Sequence, residues 1–272
     1  MSLAGQRVWI IGAGFLGSVL ASCCREVGAR VLTIDAHAPA DVHGSAADAA
    51  VLHRAMDVLV PDVVFCCAAT RGGTPEDYVQ SYLEPARLLG RVAGGARVVF
   101  CSSTSVYAAR LGQVVTEETP LPAATGRSGV LLGAEAEVLR GGGVVARLAP
   151  LYGPARCELV RRFMERLAGL PGSDSRVLNY LHVKDAARAL MLLAALPALP
   201  ERVFNVCGES FSRGDIYAGL EAVFGWNAAE VSSEPSVRGV SDMRVDSSRL
   251  RRLGWCPRHT VLELARQWKE ES

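Results

Sequence analysis

Three glycines carry the first chemistry in this chain. Gly12, Gly14 and Gly17 stand in G-x-G-x-x-G spacing within "IIGAGFLG", after a β-branched apolar run and at the head of a helical pattern. Glycine at the first position permits a tight turn, at the second it lets backbone approach a pyrophosphate, and at the third it lets helix and strand pack closely. The first helical turn, with Phe15 and Leu16, then turns its N–H groups toward phosphate oxygens. Asp35 ends the next apolar run, "ARVLTID". A carboxylate at that place accepts hydrogen bonds from adenosine ribose hydroxyls and repels a 2′-phosphate. NAD is therefore expected over NADP, with two alternatives open: His37 can accommodate a phosphate, and Asp35 can be a plain capping or surface aspartate. A second polar group, Ser102, Ser103 and Thr104 in "VVFCSSTSVY", ends another apolar run. Hydroxyls there either meet a ligand or satisfy turn backbone.

These residues need elements to hold them. "RVWIIGAG", "ARVLTID", "PDVVFCCAAT", "ARVVFCSS" and "GGVVARLAP" read as strands, and "FLGSVLASCCREVG", a stretch over 75–93 with a kink at Pro85, and "GVLLGAEAEVLRG" read as helices. Continuously apolar strands alternating with helices predict a doubly wound α/β fold of Rossmann type, its parallel sheet covered on both faces. The interval after Asp35 is polar and alanine-rich and carries no assigned element. Beyond "LYGP" the alternation loosens into helical stretches near 156–168, 184–196, 213–224 and 260–270 with short strands such as "RVFNV". A boundary is expected near Pro154, with 1–154 as the dinucleotide-binding core. Residues 155–272 are then mainly a smaller C-terminal substrate lobe, some elements returning to the sheet.

Composition excludes several alternatives. The 272 residues are 50% hydrophobic and carry a formal net charge of +1, with opposite charges interleaved, so no nucleic-acid footprint is present. Eight cysteines include no C-x-x-C, and no histidine stands at zinc-like spacing. Reduced thiols in a cytoplasmic protein are expected, and no metal site. The N-terminal hydrophobic stretch runs straight into a glycine turn, unlike a secretory leader, and "ALMLLAALPAL" is too short to span a bilayer. Neither export nor a membrane anchor is expected.

With "VVFCSSTSVY", "RLAPLYGP", "YLHVKDAARAL" and "RVDSSRLRRLGW" added to the glycine turn, almost the whole chain resembles the extended short-chain dehydrogenase/reductase superfamily, the NAD-dependent epimerases and dehydratases. It looks closest to an atypical branch sharing "SSTSVY". The resemblance implies an NAD cofactor and a small-molecule substrate of nucleotide-sugar type. It places Ser103 at the catalytic serine, with Thr104 and Tyr107 beside it, and Ala68 and Ala69 against the cofactor. Arg147, Tyr152 and His182 match its "R-L-x-x-x-Y-G-P" and "H-V-x-D" positions, as substrate-lobe or domain-contact residues.

The family's working pair, Y-x-x-x-K, is missing. "TGRSG" puts Thr125 at the tyrosine and Gly129 at the lysine, and neither can move a proton on a substrate oxygen or hold a nicotinamide ribose. No tyrosine lies between Tyr107 and Tyr152, and the only lysines are Lys184 and Lys269. The literal match Tyr180–Lys184 falls on the "H-V-x-D" segment, where His182 and Asp185 occupy their family places, and is read as a decoy. The family's adenine-binding acidic residue is likewise replaced by Ser45, with Asp48 displaced. Three functions follow: a dinucleotide-binding member with a degenerate centre, an active epimerase, dehydratase or reductase that recruits another group, or a ligand-sensing interaction module. Arg71, Tyr107, Arg127, Glu117 and Glu118 are the candidates for recruitment. The helix around 75–93 and the one after Gly129 match the family's dimer-forming pair, so a homodimer is expected.

Overall fold

The computed structural model describes residues 2–70, 73–108, 112–154, 156–167, 173–226 and 242–271. The chain opens with β1 (Arg7–Ile11), α1 (Phe15–Glu26), β2 (Arg30–Asp35), β3 (Val42–His43), α2 (Ala49–Val58) and β4 (Val63–Cys66). Next come α3 (Pro75–Tyr78), a π-helical turn (Val79–Leu83), α4 (Glu84–Val92), β5 (Arg97–Ser103), β6 (Gln113–Val115), α5 (Gly126–Arg140) and β7 (Val144–Leu148). The remainder is β8 (Leu151–Tyr152), α6 (Glu158–Met164), β9 (Val177–His182), α7 (Val183–Ala195), β10 (Val203–Val206), β11 (Glu209–Ser212), α8 (Arg213–Phe224), β12 (Met243–Val245), α9 (Ser248–Arg251) and α10 (Val261–Glu270).

Seven strands form one sheet in the order β10-β7-β5-β4-β1-β2-β3, with the pairs from β7 through β3 all parallel. This is the expected doubly wound fold. The order reverses between β1 and β4, which is where such sheets bind ligands at their carboxyl ends. All four residues of β4 are buried, and so are four of the five in β1. Trp9 at the centre of β1 is fully buried and donates its indole N–H to the Leu59 carbonyl at 2.7 Å.

Two local features depart from the sequence reading. The alanine-rich interval contains α2, capped by Asp48, whose carboxylate accepts from the Ala50 N–H at 2.9 Å. Val51, Leu52 and Ala55 are its buried stripe, so Asp48 serves helix capping here. The helix over 75–93 is interrupted rather than merely kinked. Pro85 has no N–H to give, and just before it the Glu84 N–H reaches back five residues to the Val79 carbonyl.

The chain gathers into two compact units, one of 1–106, 121–148 and 186–204, the other of 107–120, 149–185 and 205–272. The chain passes from one unit to the other after 106, 120, 148, 185 and 204. In the first unit the returning helix is held by Arg97, whose guanidinium donates to the carbonyls of Leu193, Ala194 and Leu196 at its C-terminal end. The second unit has a β11-β9-β8 sheet, a β12-β6 pair, and a core that includes Tyr152, Leu159, Phe163, Tyr217, Leu220, Val261 and Leu264. None of the eight cysteines is in a disulfide. Among the described residues no helix is long and apolar enough to cross a membrane.

One charge pair sits inside the first unit. Glu135 occupies the inward stripe of α5 with Leu131, Ala134 and Val138, and is 3% exposed. Its carboxylate accepts from Arg147 on β7, Nε at 3.1 Å and Nη2 at 2.7 Å, and from the Ser102 hydroxyl on β5 at 2.6 Å. Removing one partner of such a pair leaves a buried charge uncompensated. Glu135→Leu should lower unfolding free energy by about 3–5 kcal/mol, and adding Arg147→Met should recover most of that loss, as read from urea unfolding curves.

Candidate functional site

The glycine turn lies where β1, β2 and β4 end. Gly12 has φ +91°, a conformation that favours glycine, and a Cβ on it would lie 2.4 Å from the Ala68 backbone nitrogen. A Cβ on Gly17 would lie 1.8 Å from the Gly12 carbonyl oxygen, so α1 rests directly on the turn. Gly14 is different: its φ is ordinary and nothing lies within 4 Å of the place a Cβ would take. The first and third glycines serve the protein's own packing, whereas the second faces open space at the head of α1. No side chain caps that helix end.

Asp35 ties the turn to β2. One carboxylate oxygen accepts from the Ala13 N–H at 2.6 Å, and the other from the N–H groups of His37 and Ala38 at 2.7 and 2.8 Å. Burial alone would raise this carboxyl, but the three backbone donors hold it below its ordinary value. Asp35 is therefore an anion at neutral pH and repels a second negative group. Ala68 and Ala69 follow β4 after Cys67, Ala68 against Gly12.

The hydroxyl cluster at the end of β5 divides by partner. Ser102 gives its proton to Glu135, and Thr104 is buried. Ser103 is partly exposed, and its oxygen accepts from the Ser105 N–H at 3.1 Å. Glu135, which the sequence reading passed over, is the group that organises Ser102. Its signal was a charge standing on the apolar stripe of a helix.

The start of α5 bears on the missing pair. The helix begins at Gly126, which has φ +56°, with Thr125 as its N-cap. A Cβ at Gly129 would lie 2.5 Å from the Ala124 carbonyl carbon and 2.6 Å from its oxygen. The preceding backbone therefore occupies the space that any side chain at 129 would need. Arg127 stands with its guanidinium carbon 5.9 Å from the centre of the Tyr78 ring.

Within the second unit, Tyr107 is buried and donates to Asn205 Oδ1 at 2.8 Å. Glu117 accepts from the Asn205 N–H at 2.7 Å and pairs with Arg249, as does Glu118. Tyr180 stacks on Phe211 and meets Tyr152 edge-on, while Lys184 is exposed in the first turn of α7. Tyr152 donates to Glu209 at 3.3 Å. Arg71 lies outside the described residues.

His182 belongs to a cluster, buried except for the partly exposed His259, that the sequence did not reveal. Its ring stacks on His259 at 3.9 Å with planes 16° apart, and Tyr152 meets it edge-on. Asp185 Oδ2 accepts from the N–H groups of Arg258 and His259 and lies 3.1 Å from His259 Nδ1. The ligand atoms of His182, Asp185 and His259 fall within 4.8 Å of one another. Nearly parallel stacked rings hold their lone pairs in separate planes, however, so one ion cannot lie in the plane of both. His182 accepts instead from the Lys184 N–H at 3.3 Å. Burial, then the neighbouring His259, pulls its imidazole down to about 4; Lys184 acts in the same direction, and Asp185 and Glu263 oppose it. An unfolded histidine takes up its proton near 6.5, well before the folded one. The neutral ring thus contributes full stability above that pH, and the contribution is lost as pH falls from about 6.5 to about 4. Urea unfolding across this window should show a loss on the order of 2–3 kcal/mol, and His182→Asn should remove that share of it.

The profile of the NAD dependent epimerase/dehydratase family matches residues 8–207. No curated protein sequence matches the chain. Among solved structures, dTDP-glucose 4,6-dehydratase from Bacillus anthracis in complex with NAD superposes with a TM-score of 0.82 at 18% identity, over 98% of this chain and 97% of that one. UDP-glucose 4-epimerase from Thermus thermophilus, also in complex with NAD, gives 0.77 at 23% identity over 96% of each chain. MoeE5 in complex with UDP-glucose and NAD gives 0.79 at 22% identity, over 97% of this chain and 99% of that one. Identities this low carry the fold alone. The profile match takes in the glycine turn, Asp35, the serine cluster and His182, and on that match the chain belongs to the NAD-dependent epimerase/dehydratase family.

Proposed function

We propose that this protein binds NAD at the glycine turn and has a degenerate hydride-transfer centre, with a nucleotide-sugar-like or other small polar molecule as its ligand. Gly12, Gly14, Phe15, Leu16 and Gly17 would cradle the pyrophosphate, Asp35 would meet the adenosine ribose, and Ala68, Ala69 and Ser102 would border the nicotinamide half. NAD, when bound, supplies a hydride acceptor. The residues fit that group: Gly14 leaves open space at an uncapped helix end, and the Asp35 carboxylate disfavours the 2′-phosphate of NADP. Family membership and the NAD carried by the similar structures support the same cofactor.

The observation that carries the degenerate centre is the backbone of Ala124 against Gly129. It supports the reading that a lysine at this position would lack the space for its side chain. Tyr152 and His182 keep the substrate-lobe reading within the second unit, and Arg147 would support Ser102 through Glu135. A homodimer through α4 and α5 belongs to the same reading. A second reading, residual epimerase, dehydratase or reductase activity, is favoured by one observation. The Ser103 oxygen accepts from the Ser105 N–H, which leaves its own proton to give. Tyr107, committed to Asn205, is less suited to that role.

Calorimetry tests the cofactor. NAD should bind more tightly than NADP, and Gly14→Ala should weaken NAD at least about tenfold, or 1.4 kcal/mol, with little change in melting temperature. Failure to bind NAD at millimolar concentration would sink the reading. Thr125→Tyr with Gly129→Lys should lower the melting temperature without creating turnover of a nucleotide-sugar panel. A gain of NADH production in that variant would show that the Ala124 backbone is no obstacle. Any turnover by the natural chain should fall about 10²–10⁴ below that expected with a general acid in place, and Ser103→Ala should abolish it.

A further inference from the structure

Cys67 and Cys101 form an arrangement that the functions above do not use. Their sulfurs lie 3.6 Å apart. Cys66 pairs in register with Phe100 on the neighbouring parallel strand β5, while on the other side the Cys67 N–H bonds to the Ile11 carbonyl of β1 at 2.7 Å. The next residue pair is therefore Cys67 beside Cys101. Side chains alternate along a strand, so Cys66 points to the opposite face and only Cys67 of the doublet meets Cys101. Cys67 is partly exposed and Cys101 is buried.

Neighbouring strands stand about 4.8 Å apart, within the Cα separation of about 4.4–6.8 Å that a disulfide spans. Closing the gap needs a movement of about 1.5 Å at the sulfurs, to a bond of about 2.05 Å. A bridge between hydrogen-bonded strands has little freedom to relax its dihedral angle, and strained bridges are the easily reduced ones. Such a pair can cycle. The same strand end also supports the glycine turn: a Cβ on Gly12 would lie 2.7 Å from the Cys67 carbonyl carbon and 2.4 Å from the Ala68 nitrogen. Two backbones this close transmit a displacement from one to the other.

We propose that Cys67 and Cys101 are a reversible dithiol/disulfide site, oxidised by hydroperoxides, whose closure weakens dinucleotide binding at the adjoining turn. The effect on binding rests on the NAD reading above; the bridge itself does not. One sulfur, as thiolate, attacks the peroxide O–O bond. An S–O bond forms, and the departing hydroxide takes up a proton. The second sulfur then attacks the sulfenic acid, the S–S bond forms, and the oxygen leaves as water with the second thiol's proton. Two thiols lose two electrons in all, and hydrogen peroxide becomes two waters. A dithiol reductant reverses the change. The bond to Cys101, then burial, holds the Cys67 thiol well above its ordinary value, so the oxidation is slow.

The full chain is treated with hydrogen peroxide, alkylated, digested without reduction and mapped by mass spectrometry. NAD affinity is measured by calorimetry before oxidation, after it, and after dithiothreitol. The expected result is a peptide pair bridged at Cys67 and Cys101, NAD binding weaker by at least about fivefold, the lower edge of usual coupling between sites, and recovery on reduction. Cys101→Ala should show one affinity under both treatments, and Cys67→Ser gives the same comparison should the first variant fold poorly. Oxidation of the exposed Cys256 while Cys67 and Cys101 still alkylate as thiols would overturn the site. A bridge with unaltered NAD affinity would overturn the coupling. If the reduced protein binds no NAD, the cofactor reading fails instead. The bridged peptide then decides the site, and a reversible shift in melting temperature decides whether closure strains the sheet.

Discussion

The arrangement of the first unit depends on how closely three backbones approach at the switch point of its sheet. Gly12 lies against Ala68 and Gly17 against Gly12 itself, each without room for a methyl group. A side chain at either place would push β1 away from β4 or α1 away from the turn. The Asp35 carboxylate completes the junction by receiving the Ala13 N–H from the turn and two more from its own loop. A carboxylate fixed by three backbone donors is ionised and immobile, so the electrostatic preference at this site is part of the fold.

A second constraint lies one helix away. Glu135 brings Ser102 and Arg147 together inside the first unit, joining α5 to β5 and β7 through charge-assisted bonds that water does not reach. This frame is intact, although the start of the same helix follows a path that leaves no room at position 129. The buried bonds of one face of α5 and the backbone path at its start are thus independent of one another. Burial stabilises the first whatever happens to the second.

Much of this was legible in the residues. Apolar strands such as "VVFC" and "VVARL" declared a parallel sheet because both faces of each strand are covered. The glycine spacing and Asp35 declared the turn because few other residues tolerate that geometry. The helices α6, α7, α8 and α10 fall on the stretches expected for them near 156–168, 184–196, 213–224 and 260–270. α2 went unseen because its stripe is three residues set among alanines, and the π turn because a proline signals a break without saying how the neighbouring carbonyl is satisfied.

The sequence by itself determined the fold class and the cofactor turn, since each follows from residue type and local spacing. Tertiary structure alone decided that Glu135 would serve Ser102 and Arg147, that His182 would lie face to face with His259, and that Cys67 would stand beside Cys101. Those partners are 12 to 77 residues apart in the chain, and no local propensity encodes which distant side chain will fill the same few ångströms. Register between strands and the path of the connecting helices set that choice, and both are consequences of burying the whole core at once.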